Sequence, residues 1–383
     1  MSAAQWRRAM NGGLAAAARR PMAPSNPSAV PATEDPYADS DAPRWLQYLW
    51  RTLSARHVFT MAFVLVFPFV ASPFFTFQVA AQALVLGLIA LSLTFLGGYG
   101  GMVSLAQMTV AGIAGYSVAL LGTSSATEIS LGWPWWAALP VALLICVACA
   151  TFIGWLSVRT EGIYTIMITL AIGVAFYYLV LQNYSVFNGF QGLREVYPPK
   201  VLGVAWREPL PFYFLALACS LAGYFLVHWV VRAPFGMALQ GIRDNPRRMH
   251  ALGFNVVAHR VAAYALAGLI AAVGGILFVW YNGLVTPGSV STSWLINILV
   301  IAVLGGMKHP IGAFLGAIVF VLLQTFAIDA LGAGARERFN LIIGGVFLAI
   351  VLFSPDGLLG LWAKLRSRFQ GDQAMTSHQR RQK

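Results

Sequence analysis

Apolar segments long enough to cross a lipid bilayer recur along most of the chain, and this pattern constrains the fold more than any motif does. A transmembrane helix needs about 20 mainly apolar residues, and polar or glycine-containing breaks divide the sequence into segments near that length. Inside a bilayer only helices and closed barrels satisfy every backbone polar group. We therefore predict an all-α polytopic membrane protein with about ten transmembrane helices. The predicted segments are 58–75, 78–96, 101–122, 135–157, 162–182, 211–231, 260–281, 293–306, 310–328 and 339–354.

The eighth segment, 293–306, is short for a bilayer core of about 30 Å. Non-helical backbone at membrane depth is tolerated only where protein surrounds it. We interpret this segment as a candidate broken or re-entrant helix, buried among the others.

Composition excludes an ordinary soluble domain. Hydrophobic residues make up 58% of the 383 positions, charged residues only 10%, and the mean hydropathy is +0.71, whereas soluble domains carry roughly 25% charged residues. The net charge of +12 would suggest nucleic acid as the partner of a soluble protein. Here it is explained by the preference of Lys and Arg for the cytoplasmic side of a membrane. We expect a lipid bilayer around the chain and no nucleic acid partner. Three cysteines are too few for a disulfide framework.

The basic residues also predict the orientation. If the N-terminus is inside and the chain crosses at each predicted segment, twenty Lys and Arg residues lie inside and five lie outside. Such an excess marks the cytoplasmic side, so both termini are predicted to be cytoplasmic. The five outside residues are Arg194, Lys200, Arg207, Arg336 and Arg338.

The predicted membrane domain, 58–356, lies between polar ends. Residues 1–43 contain no apolar run and predict a disordered cytoplasmic tail, and residues 357–383 form a basic cytoplasmic tail. Residues 44–57 alternate Trp, Tyr and Leu with Arg, the pattern of an amphipathic helix in the membrane interface. The alternative for 44–57 is that it simply begins the first span.

The chain carries no energy source of its own. All thirteen acidic residues fall in loops, tails or segment ends, whereas a proton-coupled carrier would keep a carboxylate inside the membrane. No phosphate-binding loop can be written, since none of the four lysines follows a glycine. Cys146 and Cys149 form a lone C-x-x-C pair inside an apolar segment with no nearby His, so we expect no metal and no cofactor.

A polar loop between the sixth and seventh segments, Phe235–Asn255, is the most charged internal stretch of the sequence. It predicts two short helical pieces, 237–244 and 249–253, separated at Pro246 and stopped by Gly253. It contains Ile242-Arg243-Asp244 and then Ala251-Leu252-Gly253-Phe254-Asn255.

Glycine-rich motifs flank this loop on both sides. One is Gly97-Gly98-Tyr99-Gly100-Gly101 followed by Ser104-Leu105-Ala106-Gln107 and by Gly112-Ile113-Ala114-Gly115-Tyr116. The other is Leu304-Gly305-Gly306 followed by Gly312-Ala313-Phe314-Leu315-Gly316-Ala317. Small residues at such spacing let helices approach closely, and a glycine cluster permits a sharp break.

Together the loop and the glycine motifs resemble the permeases of ABC importers for branched-chain amino acids, from about Ala80 to Pro355. The chain departs from that pattern at Ala106 and Ala114, where the family mostly has glycine, and at Lys308 and His309, where it has small residues. The resemblance implies a permease subunit in a bacterial inner membrane, without an ATPase site of its own. It implies a second homologous permease, two ABC ATPase subunits and a periplasmic substrate-binding protein as partners.

The candidate site residues form three sets. In the related permeases this loop sits in a cleft of the ATPase subunit and transmits its movement. The resemblance therefore implies that residues 232–258 form a coupling loop. The alternative is that they form an ordinary basic loop. Ser104 and Gln107 are one helical turn apart and predict a shared polar face, which Thr165 and Thr169 repeat on the fifth segment; these side chains contact either solute or neighbouring helices. The sets are Arg243, Asp244, Ala251, Leu252 and Gly253 for coupling; Ser104, Gln107, Tyr164, Thr165 and Thr169 for the translocation pathway; and Gly97, Gly101, Gly112, Gly312 and Gly316 for helix packing.

Branched-chain or other hydrophobic amino acids are the leading substrates by resemblance, and urea, short amides or small carboxylates are the alternative. A facilitator that needs no ATPase is a second alternative. A membrane-embedded transferase would need clustered carboxylates or a His pair at the membrane surface, and no D-x-x-D or H-x-x-x-H pattern is present.

Overall fold

The computed structural model describes residues 66–160, 162–199, 203 and 205–331, and positions 341, 344–345, 347–348, 352 and 357–360. The predicted tail 1–43, the interfacial helix 44–57, residues 58–65 of the first predicted segment, most of segment 339–354, and residues 361–383 lie outside the described residues.

Helices dominate the described chain, in agreement with an all-α membrane protein. In chain order, the helices with six or more described residues are α1 (Phe75–Tyr99), α2 (Gln107–Leu121), α3 (Trp135–Ser157), α4 (Ile163–Gln182), α5 (Pro209–Arg232), α6 (Pro234–Asp244), α7 (Pro246–Ala251), α8 (Val256–Asn282), α9 (Thr292–Gly305) and α10 (Pro310–Leu331). Within the described ranges, α1, α3, α4, α5 and α8 are long and apolar enough to cross a membrane, and α9 with α10 adds a sixth crossing if this pair is one span.

Most predicted segments coincide with helices, and one needs correction. The fourth, 135–157, has the bounds of α3, and the fifth to seventh differ from α4, α5 and α8 by a few residues. The third, 101–122, is wrong at its start, because α2 begins only at Gln107 and has 15 residues. Gly101 has a left-handed φ of 67°, so the backbone leaves the helix there and returns six residues later.

α9 and α10 form a bent pair, which agrees with a broken helix at the eighth segment. Their axes turn by 116° across a break of at most four residues. Gly306 (φ 103°) ends α9 and Pro310 begins α10, the positions that glycine and proline favour at helix ends. A Cβ on Gly312 or Gly316 would meet backbone atoms of α9, so the two helices cross in close contact.

The helices form an inner and an outer group. In their most apolar stretch, α1 is 83% and α8 is 67% buried, whereas α3, α4 and α5 are 33%, 22% and 28% buried. α8 packs on α1, α2 and α3, and α1 also packs on α10. Apolar side chains therefore face outward on α3, α4 and α5, as a lipid environment allows.

The polar connections meet in two groups at the ends of the helices. At the first, which we call the basic end, Arg243 donates to Gly98 O (2.6 Å) and Gly97 packs against Met307. At the second, β1 (Leu193–Arg194) pairs antiparallel with β2 (Leu284–Val285), and Ser125 N donates to Arg194 O (2.9 Å).

Candidate functional site

A buried polar cluster surrounds the break between α1 and α2. The last turn of α1, Phe95–Tyr99, is a π-helix, a form that often marks functional positions. After it, Met102 N donates to Leu96 O (3.0 Å) and Ser104 Oγ accepts from Ala106 N (3.3 Å). Ser104 is fully buried, and it precedes α2 rather than lying on it. The prediction that Ser104 and Gln107 share a helix face is therefore wrong, since the glycine break extends through Ser104.

Gln107 joins α2 to α1 inside the cluster. It is 2% exposed, and its Oε1 lies 3.1 Å from Ser92 Oγ, a residue with no exposed surface. Ser92 Oγ also lies 2.6 Å from Ile89 O, and its single proton serves one acceptor at a time. The Gln107 amide can therefore exchange this partner for a solute without leaving Ser92 unpaired.

Two threonines of α4, Thr165 and Thr169, lie near the break between α1 and α2, and Thr169 binds its backbone. Thr169 Oγ1 accepts from Leu105 N (3.1 Å) and lies 3.0 Å from Thr165 O, while Thr165 Oγ1 donates to Thr160 O (2.9 Å). Both threonine side chains are buried, but Tyr164 is 66% exposed. The structure thus brings Thr169 to Leu105, next to Ser104, with Thr165 one turn earlier on α4, whereas Tyr164 is exposed.

Tyr264 of α8 belongs to the cluster and was missed by sequence reasoning. It is 1% exposed, and its hydroxyl faces those of Ser104 and Ser157, yet no hydrogen bond of ordinary geometry reaches the Tyr264 or Ser157 hydroxyl from the described residues. Gly154 of α3 makes room for the tyrosine, because a Cβ there would collide with its ring. A lone tyrosine opposite a glycine gives only a weak sequence signal.

An open apolar pocket of about 300 Å³ lies between α2, α3 and α4, and it is lined by Thr109, two positions after Gln107 in α2, and by Phe152, which is 61% exposed. Its polar contribution is Thr109, whose buried Oγ1 has no partner among the described residues. Ile113, Phe152 and Phe176 are among its apolar walls. Unpaired hydroxyls are costly in a low-dielectric interior, so the cluster can receive polar groups from a solute beside a space that accepts apolar ones.

The loop between α5 and α8 is a helical hairpin attached to this break. The predicted pair of short helices is α6 and α7; Pro246 begins the second helix, and Gly253 follows it with φ 89°. Arg243 binds Asp244 (Nε to Oδ1, 2.9 Å) and Gly98 O (2.6 Å), and a Cβ on Gly101 would lie 2.5 Å from Arg243 Cγ. Two of the predicted sets, the coupling residues and the packing glycines, therefore meet at Arg243.

The remaining coupling residues are on the surface. Ala251, Leu252 and Gly253 are exposed, Leu252 by 67%. Asp244 is 67% exposed. Phe254, 39% exposed, adds a second apolar side chain two positions after Leu252, and grouped exposed apolar residues can mark contact with another protein.

The other packing glycines lie against neighbouring helices or loops. A Cβ on Gly97 would lie 3.0 Å from Met307 Sδ, and one on Gly112 would collide with Val290. Among the residues that the structure describes, no group of His, Cys, Asp and Glu could hold a metal ion.

The chain is similar to known proteins over most of its length. A family model described as "Branched-chain amino acid transport system / permease component" matches residues 75–351. The chain is 24% identical to the high-affinity branched-chain amino acid transport system permease protein LivM of Salmonella typhimurium, over 78% of this chain and 74% of the relative. The LivM of Escherichia coli is 24% identical over 74% and 70%. The autoinducer 2 import system permease protein LsrD of Klebsiella pneumoniae is 26% identical over 70% and 79%. No solved structure matches the chain.

Proposed function

From the premise that the chain belongs to the branched-chain amino acid transport system permease family and is a permease subunit of an ABC importer, we propose its substrate, its coupling route and its partners. The substrate is a branched-chain or other hydrophobic amino acid received from a periplasmic binding protein. Energy comes from two ATPase subunits, and a second, homologous permease completes the membrane part.

The names of the LivM relatives, which are branched-chain amino acid permeases, support this substrate class. The cluster is compatible with it, because Gln107 and the Tyr264 and Ser157 hydroxyls offer uncharged partners to the amino and carboxylate groups. The apolar pocket beside Thr109 suits a branched side chain. Urea has no apolar part that would use this pocket, and the alkyl groups of short amides and small carboxylates are smaller than a branched side chain. LsrD is named for import of a different solute, autoinducer 2, so the family alone does not fix the substrate.

The hydrogen bond from Arg243 to Gly98 O carries the proposed coupling route. ATP-driven closure of the ATPase subunits moves the loop, and Arg243 passes this movement to the glycine break. The break carries Ser104 and Leu105, and Leu105 N is held by Thr169. The ATPases thereby bias which arrangement of the cluster is populated, as linkage requires.

The orientation proposed is about ten crossings with both termini in the cytoplasm of a bacterial inner membrane. The distribution of charge supports it: the basic end carries Arg232, Arg243, Arg247, Arg248, Arg260 and Lys308, whereas the β1–β2 end carries Arg194 and Arg207 beside Glu128, Glu195 and Glu208. In this arrangement the connection between α9 and α10, which contains Lys308, lies at the cytoplasmic face, and both helices extend from it into the membrane.

The test is uptake of radiolabelled leucine by cells that express the chain with its genetic neighbours, compared with cells lacking this chain alone. Excess isoleucine and valine are expected to compete, and urea, acetamide and acetate are not. Chain-dependent uptake of urea or acetate that leucine does not inhibit would overturn the proposed substrate. A facilitator would instead give leucine uptake that persists when the ATPase genes are deleted.

A further inference from the structure

A second pocket lies at the basic end, apart from the polar cluster. It has a volume of about 420 Å³ and lies between the last turns of α5, the end of α1 and the start of α10. Its polar lining is Tyr99, Tyr224, His228, Arg232 and His309, and its apolar lining is Val231, Pro310, Ile311 and Leu359. His309 is one of the two positions where the sequence departs from the small residues of the family. Neither the coupling route nor the substrate cluster uses this pocket.

The chemistry of the lining favours an anion. No carboxylate of the described residues lines the pocket. Arg232 and His309 make no side-chain hydrogen bond or ion pair with any residue in the described ranges. His228 stacks on Tyr224 at 6.0 Å between ring centroids, and both rings line the same space. A guanidinium matches phosphate oxygens in a bidentate manner, and tyrosine hydroxyls and histidine add donors.

The surroundings of the pocket indicate that the anion is carried by a lipid. On α5, Phe225 and Trp229 are 53% and 71% exposed, and tryptophan is enriched at membrane–water interfaces. Ile311, on the opposite wall, is 43% exposed. A charged pocket with apolar walls, at the level of an interfacial tryptophan, offers space for a phosphate and for the start of an acyl chain. Basic pockets between transmembrane helices on the cytoplasmic side are known to bind anionic head groups.

We propose that the pocket formed by Tyr99, Tyr224, His228, Arg232 and His309 binds the phosphate group of an anionic phospholipid of the cytoplasmic leaflet. The choice of leaflet rests on the orientation in the proposed function.

The test measures lipid retention by the full chain, purified with its co-expressed partners and reconstituted in vesicles of phosphatidylcholine with or without phosphatidylglycerol. After re-extraction in mild detergent, native mass spectrometry counts the phosphatidylglycerol that stays bound. Arg232→Gln is expected to lower retention about fivefold, the effect of one basic residue near an anionic surface. His309→Ala should lower it less, because it removes one hydrogen-bond donor and leaves the Arg232 guanidinium in place.

Two further variants act as controls. Arg232→Lys keeps the charge and should restore most of the retention, which a merely misfolded protein would not do. Arg159→Gln removes a basic residue that lies over the Trp155 ring, 4.1 Å from its centroid, and should retain lipid like the unaltered chain. Equal phosphatidylglycerol retention in Arg232→Gln, His309→Ala and the unaltered chain would overturn the proposal.

A second experiment distinguishes binding of a lipid phosphate from binding of free inorganic phosphate. Inorganic phosphate is added to the delipidated complex and its binding is measured by calorimetry. Binding of phosphate that requires Arg232, with no preference for phosphatidylglycerol over phosphatidylcholine, would overturn the lipid assignment. Because lipid retention needs no transported solute, Arg232-dependent retention in a complex that does not import leucine would refute the proposed substrate and leave this site in place.

Discussion

At the scale of single residues, Arg243 joins parts of the chain that are 145 positions apart in sequence. Its guanidinium binds both Asp244 and Gly98 O, and its aliphatic part packs where Gly101 leaves no side chain. A hydrogen bond from a charged group contributes more than a neutral one, about 1.5–3 kcal/mol, and partial exposure of Arg243 (39%) places it at the lower end. Arg243 is thus both the predicted coupling residue and the anchor of the glycine break.

Replacing Arg243 by Gln removes the charged bond to Gly98 O while keeping a long side chain. We expect leucine imported per ATP hydrolysed to fall about tenfold, the effect of about 1.4 kcal/mol, with ATP hydrolysis itself retained. Arg243→Lys can still donate one hydrogen bond to Gly98 O and should be intermediate. The measurement is paired uptake and ATPase assays in proteoliposomes. Unchanged coupling in Arg243→Gln would remove this residue from the route.

Replacing Thr169 by Val leaves the buried Leu105 N–H without its acceptor. An unsatisfied buried donor costs about 1–3 kcal/mol, so the free energy of unfolding in detergent should fall by that amount. Thr151→Val is the matched control, because among the described residues the Thr151 hydroxyl bonds only to Val147 O in its own helix, and its loss should cost about 0.6 kcal/mol or less. Equal stability of the two variants would show that the break does not depend on Thr169.

At the scale of elements, the bent pair α9–α10 shows best how glycine shapes this protein. A Cβ on Gly316 would collide with Ile301 O and lie 2.8 Å from Gly305 N. Backbone atoms cannot rotate away as a side chain can, so the two helices pack at this separation only when the position is glycine. The crossing fixes the turn that presents Lys308 and His309 at the basic end.

Gly316→Ala should therefore destabilise the protein by about 1–3 kcal/mol through overpacking. Gly288→Ala is the control, since the nearest atom to its Cβ would be Thr286 Oγ1 at 3.4 Å, an ordinary contact, and the residue has no left-handed φ. Thermal unfolding in detergent measures both. A Gly316→Ala variant as stable as Gly288→Ala would mean that α9 and α10 can separate at little cost.

The sequence predicts those elements whose bounds are set by nearby residues, and it does not predict those that depend on contacts with distant parts of the chain. The bounds of α3 follow from an apolar run between Pro134 and Arg159, and the α6–α7 hairpin follows from Pro246 and Gly253. The start of α2 was not predictable from hydropathy, because an apolar stretch looks the same whether helical or held extended by a distant Thr169. The place of Tyr264 in the cluster likewise depends on how α3 packs against α8, which no local pattern contains.

At the scale of the whole molecule, the bundle has two chemically different ends and a buried polar cluster between them. The basic end presents the hairpin, and the opposite end carries the β1–β2 pairing and Arg207 over the Tyr197 ring (4.0 Å). Between them the described spans carry uncharged polar groups at the α1–α2 break. Such an interior fits a permease that changes access through movement of its ends rather than through a titrating carboxylate.

The proposed orientation predicts opposite labelling of the two ends. In a variant without the native cysteines, Phe190→Cys should react with a membrane-impermeant maleimide in intact spheroplasts, since Phe190 is 74% exposed beside β1. His250→Cys, exposed in α7, should react only after the membrane is opened. Labelling of His250→Cys in intact spheroplasts would invert the orientation.

The hairpin is proposed to dock the ATPase subunits and to couple them to import. The first experiment co-purifies the ATPase subunits with the chain and with Leu252→Asp, which places a charge on the exposed tip, and measures leucine import in proteoliposomes. The unaltered chain is expected to retain the ATPases and to import leucine only with ATP. Leu252→Asp should insert normally but lose both the ATPases and import. Full retention and ATP-driven import by Leu252→Asp, or leucine passage by the chain without any ATPase, would contradict this proposal.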